Sequence, residues 1–125
     1  MSLSVHVFAL GPDGVRRVLD VPEGCSDLAG FERWRTEVWG SEVVRALGAR
    51  FFPTLADADL WVEPDQVPAF LRECALLREN RGRIAAGTRP ARTVGEHQDR
   101  ISVRLAHIED AARRARAMGG GVVIR

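Results

Sequence analysis

Residues 3–14 read Leu-Ser-Val-His-Val-Phe-Ala-Leu-Gly-Pro-Asp-Gly, and this stretch decides how the chain begins to fold. Every second residue from Leu3 to Val7 is apolar, with Ser4 and His6 between them, which is the pattern of a strand with one buried face. The Gly-Pro-Asp-Gly run is typical of a tight turn, because proline sets φ and glycine accepts positive φ. Residues 15–21 alternate again. The sequence therefore predicts an N-terminal β-hairpin, with His6 directed away from the core.

Periodicity predicts the elements that follow the hairpin. They are helical regions from about Ser26 to Gly48, Pro64 to Ile84 and Gln98 to Met118, and strands at Leu60–Val62 and Val122–Ile124. Ser26 or Asp27 is expected to cap the first region, which is either two short helices or one kinked helix. Gly119–Gly121 is expected to end the last helix. The continuous apolar run of Val122–Ile124 is typical of a strand covered on both faces, which favours a central strand, whereas at a sheet edge it would be a candidate for pairing with a second copy.

The order ββ-α-β-α-α-β predicts an α+β fold of two layers, a small mixed four-stranded sheet with helices mainly on one face. A hairpin followed by a helix resembles the opening of a β-grasp domain. That resemblance covers about the first third of the chain, rests on topology, and implies no function. We predict one domain spanning residues 1–125, with a flexible linker rich in Arg, Gly and Pro at about residues 82–97.

Composition indicates a globular cytoplasmic protein. Hydrophobic residues make up 46% and charged residues 28% of the chain, which is ordinary for a folded domain. No stretch approaches the roughly 18 apolar residues of a membrane span, and the first residues lack the pattern of a secretion signal. Cys25 and Cys74 are isolated, which suits a reducing compartment, and Cys74 lies in an apolar helical pattern. The absence of lysine indicates a GC-rich genome, so we expect a bacterial protein without membrane contact.

The sequence lacks the motifs of cofactor-dependent or nucleophilic chemistry. His6, His97 and His107 are scattered, without the helical pairing or Cys-x-x-Cys clustering of zinc sites. A phosphate-binding P-loop requires lysine, and Gly119–Gly121 follows a predicted helix where nucleotide-binding glycines precede one. The serines lack the G-x-S-x-G context. We therefore predict no metal site, no cofactor and no catalytic residue, and favour a role without catalysis.

An acidic and aromatic cluster occupies residues 57–65, where four acids and a tryptophan fall within nine positions. On a strand, Asp59, Trp61 and Glu63 would share one face, because side chains alternate with period two. A tryptophan surrounded by acids suits a basic protein partner, since tryptophan often anchors interfaces. We take Asp57, Asp59, Trp61 and Glu63 as candidate partner-binding residues. The alternative is a core tryptophan with solvated acids beside it.

Arginines cluster in the second part of the chain. Residues 1–75 carry seven Arg against twelve acids, net −5, and residues 76–125 carry eleven Arg against five acids, net +6. The candidates for phosphate or nucleic-acid binding are Arg81, Arg83, Arg89 and Arg92. The segment lacks interleaved aromatic residues and the whole chain is near neutral, so a solvated helix end and linker is the favoured interpretation and nucleic acid is disfavoured.

We therefore predict a protein-interaction module, of which one form is a small inhibitory partner such as an immunity protein that neutralises a toxin. A protein is the expected partner, with self-association through a free sheet edge as an alternative. The first alternative function is a small-molecule enzyme with a pocket between sheet and helices, where His6, His107 or buried carboxylates would converge. The second is phosphate or nucleic-acid binding through the arginine segment.

Overall fold

Five strands form one sheet in the computed structural model, which describes residues 2–89 and 93–125. The strands are β1 (Ser2–Leu10), β2 (Arg16–Val18), β3 (Leu28–Phe31), β4 (Leu60–Val62) and β5 (Gly121–Ile124). Their order is β2-β1-β5-β4, and β3 pairs with the first part of β1. Every strand pairing within the described residues is antiparallel.

The helices pack on one face of this sheet. They are α1 (Glu42–Ala46), α2 (Val67–Glu79), α3 (Arg81–Gly87) and α4 (Val94–Met118), with a π-helical turn at Arg35–Trp39 and 3₁₀ turns at Phe52–Ala56 and Pro64–Gln66. Val5 and Val7 of β1 share one hydrophobic core with Leu105 of α4 and Phe70 of α2, as the alternation in the first strand predicts. None of the described helices has the length and apolar composition that crossing a bilayer requires.

The two-layer α+β class is confirmed, but the sheet has five strands instead of four and is antiparallel instead of mixed. The additional strand is β3, which lies where a helix capped by Ser26 or Asp27 was expected. The Ser26 hydroxyl accepts a hydrogen bond from the N–H of Leu28, 3.2 Å away, and so closes a turn that leads into a strand. Because β3 separates the hairpin from the first helical turn, the chain lacks the direct hairpin-to-helix order on which the β-grasp resemblance rested.

The region from Pro64 to residue 97 is more helical and more segmented than predicted. The expected single helix is a 3₁₀ turn followed by α2 and α3, which Asn80 separates with a non-helical φ of −110°. The predicted linker at 82–97 is wrong at residues 82–87, which belong to α3, and at residues 94–97, which begin α4, while residues 90–92 lie outside the described part of the chain. The Thr93 hydroxyl caps α4 by accepting from the N–H of Glu96, 3.1 Å away.

Strand β5 is central, as its apolar run predicts. It pairs with β1 on one side and with β4 on the other, so it offers no free edge for self-association. Helix α4 ends at Met118, and Gly119 adopts a left-handed φ of 71° that turns the chain into β5. The strand at Leu60–Val62 is also confirmed, and β4 lies at one end of the strand order.

Candidate functional site

The outer face of the sheet, opposite the helices, carries a small aromatic cluster. Phe8 of β1 is fully buried on this face although it lies outside the main core. Its ring covers Gly121, where any side chain would collide with the ring. Trp61 of β4 meets Phe8 edge to face at 5.4 Å, and the Arg16 guanidinium lies 4.7 Å from the centre of the Trp61 ring. Trp61 is therefore a partly buried side chain held from two sides.

Two of the three predicted acids form ion pairs within the chain. The Asp59 carboxylate accepts a hydrogen bond from Arg35 at 2.7 Å, and that guanidinium also binds the Ala58 carbonyl at 3.0 Å. The Glu63 carboxylate pairs with Arg16, the residue that covers Trp61. These two acids therefore hold arginine side chains in place around β4. The sequence pattern did not indicate these ion pairs.

Asp57 differs from the other two acids. Its side chain is exposed and has no ionic partner among the described residues. Its backbone N–H donates to the carbonyl of Thr54, 3.0 Å away, at the end of the 3₁₀ turn. Asp59, Trp61 and Glu63 thus lie together in and beside β4, where Arg35 binds Asp59 and Arg16 contacts both Glu63 and Trp61. Asp57 is left exposed to solvent.

A groove of about 710 Å³ lies beside β4, and we call it the Trp61 groove. Its lining includes Phe51 and Trp61 as aromatic side chains, Arg50, Asp59 and Asp65 as charged ones, and Thr54. In the described sheet β4 pairs with β5 alone, so its other backbone edge is unpaired. The groove therefore combines an edge strand, two aromatic rings and an exposed carboxylate.

Glu73 of α2 fixes one wall of the Trp61 groove. This glutamate is 8% exposed, and its carboxylate accepts hydrogen bonds from the backbone N–H groups of Arg50, Phe51 and Phe52. It thereby satisfies the free donors at the start of the 3₁₀ turn, as an acid at a helix N-terminus does. Sequence reasoning missed Glu73, because its partners lie more than twenty positions earlier in the chain.

The neighbouring Cys74 is a core side chain, as its apolar pattern predicts. It is fully buried. Burial, followed by the negative charges of Glu109 and Glu73, raises the pKa of the Cys74 thiol. A thiol held in its protonated form is a poor nucleophile, so Cys74 contributes packing.

The groups named for the enzyme alternative each contact a different partner in the described chain. Glu109 is buried and binds Arg78, with a distance of 2.8 Å to Nε. His107 Nδ1 lies 2.8 Å from the carbonyl of Leu28, whereas His6 lies 3.6 Å from the Asp27 carboxylate. Across the described ranges no group of three or more His, Cys, Asp or Glu is placed to hold a metal ion.

The structure describes three of the four predicted arginines and places them in different surroundings. Arg81 donates to the carbonyl of Arg78, and Arg83 lies in a separate groove beside Val43 of α1. Arg92 lies outside the described residues. Of the three described arginines, Arg89 lines a pocket together with other charged side chains.

That pocket, which we call the arginine pocket, is formed by Arg33, Arg89 and Arg100 around His97 and Trp34. The cavity between them measures about 10 Å³. Sequence reasoning missed Arg33, Arg100 and the role of His97. The one available signal was the three-residue spacing from His97 to Arg100, which places both on the same side of a helix.

Comparisons of this chain with models of known protein families, with curated protein sequences and with solved structures found no match. Function is therefore inferred from the two surfaces that the structure defines. These are the Trp61 groove beside β4 and the arginine pocket at the start of α4.

Proposed function

We propose that this chain is a protein-binding module that receives an extended, basic segment of a partner protein in the Trp61 groove. The observation that carries the proposal is the placement of the partly exposed Trp61 on an edge strand beside a groove of about 710 Å³. An edge strand presents unpaired N–H and C=O groups, and extended peptides bind proteins by adding a strand to such an edge.

The charges around the groove favour a basic segment. Asp59 and Glu63 are already neutralised by Arg35 and Arg16. Asp65 lines the groove, and Asp57 donates its backbone N–H to the lining residue Thr54; both are exposed acids that lack an ionic partner in the described chain. A lysine or arginine of the partner would meet these carboxylates and the face of an aromatic ring, both of which attract a cation.

Arg50 makes the groove asymmetric, because it places a positive charge in a lining that otherwise carries acids. A basic side chain is disfavoured near Arg50 and favoured near Asp65 by simple Coulomb repulsion and attraction. This asymmetry selects one direction for a segment that carries a single basic residue. Such a segment pairs with β4 in one register.

The aromatic side chains supply affinity. Trp61 is held in place by Phe8 and Arg16, and Phe51 packs edge to face against Phe70 at 5.5 Å. Side chains that are fixed before binding lose little conformational entropy when a partner arrives. Masking a basic site on another protein, as an inhibitory or immunity-type partner does, is one use of this chemistry.

The test uses a phage-displayed library of random linear peptides selected on the immobilised chain. We expect enriched peptides in which a basic residue lies two positions from an apolar one, because alternate side chains of an added strand face the same way. The double variant Asp57→Lys/Asp65→Lys should weaken their binding by about tenfold or more, which corresponds to about 1.4 kcal/mol. The matched control Asp20→Lys/Glu23→Lys reverses two exposed acids elsewhere and should bind like the parent.

Two results would overturn the proposal. The first is an absence of enriched peptides, or enriched peptides that bind the Asp57→Lys/Asp65→Lys variant as tightly as the parent. The second is a dimer in sedimentation that Trp61→Arg dissociates, because it would show that a second copy occupies the groove. Thermal unfolding of each variant verifies that it folds.

A further inference from the structure

The arginine pocket gathers positive charge from three separate parts of the chain. Arg33 follows β3, Arg89 follows α3, and Arg100 lies in the second turn of α4. All three line one small cavity together with His97 and Trp34. Like charges repel, so their convergence needs compensation from elsewhere in the structure or from a bound anion.

Compensation within the described chain is incomplete. Arg33 lies 3.4 Å from Glu37, an exposed pair of small energetic value. Arg89 and Arg100 make no ion pair with an acid among the described residues. Glu96 also lines the cavity but has an interaction partner of its own. The pocket therefore presents a surplus of guanidinium groups.

Phe31 helps to hold two of these groups in place. The guanidinium of Arg33 lies 4.7 Å and that of Arg100 lies 5.8 Å from the centre of the Phe31 ring. Arginine that packs on an aromatic face keeps its N–H groups available at the edge of the guanidinium plane. Those N–H groups form paired hydrogen bonds to phosphate and carboxylate oxygens.

His97 supplies a different atom to the pocket. It is 5% exposed, and its Nε2 lies 2.7 Å from the Thr88 hydroxyl. That hydroxyl donates its single hydrogen to the carbonyl of Ile84, 2.8 Å away, so it accepts from Nε2–H. In the neutral imidazole Nδ1 therefore carries a lone pair, and Nδ1 has no hydrogen-bond partner among the described residues.

We propose that the arginine pocket binds the phosphate group of a small ligand, with one oxygen entering toward His97 and the others facing Arg33, Arg89 and Arg100. The cavity of about 10 Å³ accommodates a single atom of water size, which matches one phosphate oxygen. The remaining oxygens lie at the mouth, where three guanidinium groups can bind them. This site is separate from the Trp61 groove and does not depend on the function proposed for it.

Binding should be coupled to a proton. Burial, followed by the charges of Arg100 and Arg33, lowers the pKa of His97 in the free protein. A bound anion opposes those charges and raises that pKa, so a proton is taken up when the anion binds. The groups that face His97 are Arg33 and Trp34 from the turn after β3, Thr88 and Arg89 from the end of α3, and Glu96 and Arg100 from α4.

The first experiment measures binding of inorganic phosphate and of glycerol phosphate by isothermal titration calorimetry. We expect saturable binding at one site, weakened about tenfold or more by Arg89→Gln and by Arg100→Gln, because each removes a charge-assisted contact. Arg83→Gln is the matched control, since it removes an equal charge from the separate groove beside Val43, and it should bind like the parent. Tighter binding of glycerol phosphate identifies a phosphomonoester as the ligand, whereas equal binding identifies the free ion.

The second experiment uses sulfate, whose charge is constant over the range in which histidine titrates. Sulfate affinity should rise as the pH falls from about 7 to about 6, because the bound state holds the extra proton on His97. In the variant His97→Gln this dependence should disappear. The pH dependence therefore tests the histidine separately from the arginines.

Three results would overturn the proposal. They are an absence of saturable phosphate binding, equal affinity in the parent and in Arg100→Gln, and binding of single-stranded DNA that Arg83→Gln weakens as much as Arg100→Gln. The last would show a diffuse nucleic-acid surface instead of a phosphate pocket. Arg89 is exposed, so Arg89→Gln is expected to fold even where Arg100→Gln does not.

Discussion

Replacing Glu73 with glutamine should destabilise the protein by an amount that the structure allows us to estimate. The carboxylate accepts from the backbone N–H groups of Arg50, Phe51 and Phe52 at distances of 2.5 to 3.1 Å. The amide retains one acceptor oxygen and turns an NH₂ group toward the other donors. Hydrogen bonds to a charged group contribute about 1.5–3 kcal/mol and a buried unsatisfied donor costs about 1–3 kcal/mol. We expect a loss of about 3 kcal/mol in the free energy of unfolding.

Equilibrium unfolding in urea, followed by circular dichroism, measures this loss. A domain of this size has a total stability of about 5–15 kcal/mol, so a change of about 3 kcal/mol shifts the midpoint clearly. Glu79→Gln is the matched control, because Glu79 is an exposed residue at the end of α2. Its effect should stay within about 0.5 kcal/mol.

The variant Glu73→Gln should also loosen one wall of the Trp61 groove. Hydrogen exchange of the amides of residues 50–52 should accelerate more than exchange in β5, because the lost hydrogen bonds are local to that segment. A loss in unfolding free energy below about 0.5 kcal/mol, or unchanged exchange at residues 50–52, would refute the reasoning that Glu73 holds the segment.

Two further predictions concern the buried side chains of Glu109 and His97. Arg78→Met should lower the free energy of unfolding by about 3 kcal/mol, because the buried Glu109 loses its nearest cation. Arg114→Met, which breaks an exposed pair, should change it by less than about 0.5 kcal/mol in the same urea assay, and equal effects would contradict this account. Arg100→Gln should raise the pKa of His97 by removing a positive charge, and an unchanged pKa in an NMR titration would exclude that influence.

Local sequence patterns predicted the elements in which buried and exposed side chains alternate regularly. The alternation from Leu3 to Val7 identified β1 and its buried face, and the apolar run at residues 122–124 identified a central strand. The buried residues Ile101, Leu105 and Ile108 of α4 are equally local in pattern, since residues three or four apart lie on one side of a helix. Such elements can be predicted without knowing which other elements they pack against.

Strand β3 shows where such patterns stop. Leu28–Phe31 is too short to display a period, and it is a strand because it pairs with Ser2 and Ser4. Two of its carbonyls accept hydrogen bonds from side chains: Trp39 Nε1–H donates to Ala29 at 2.9 Å, and His107 Nδ1–H donates to Leu28 at 2.8 Å. These contacts depend on the tertiary fold, which here outweighs the helical pattern that predicted a helix from about Ser26.

The candidate sites divide in the same way. The alternation at Asp59, Trp61 and Glu63 was visible in the sequence, but their arginine partners lie 24 and 47 positions away. The three arginines of the pocket come from three segments that only the folded chain brings together. A local pattern can therefore identify a candidate side chain, whereas the ion pairs that the side chain forms depend on residues distant in the sequence.

The central position of β5 has a consequence for how fast the molecule folds. The β1–β5 ladder continues into a hydrogen bond between Ser4 and Arg125, which are separated by 121 positions. Closing a loop of that length carries an entropic cost of about 4 kcal/mol before any contact across the ladder compensates for it. Helices α2, α3 and α4 meet over much shorter separations and can associate first. We therefore expect the pairing of β1 with β5 to limit the folding rate, so that substitutions in β5 slow refolding while substitutions in the hairpin turn mainly speed unfolding.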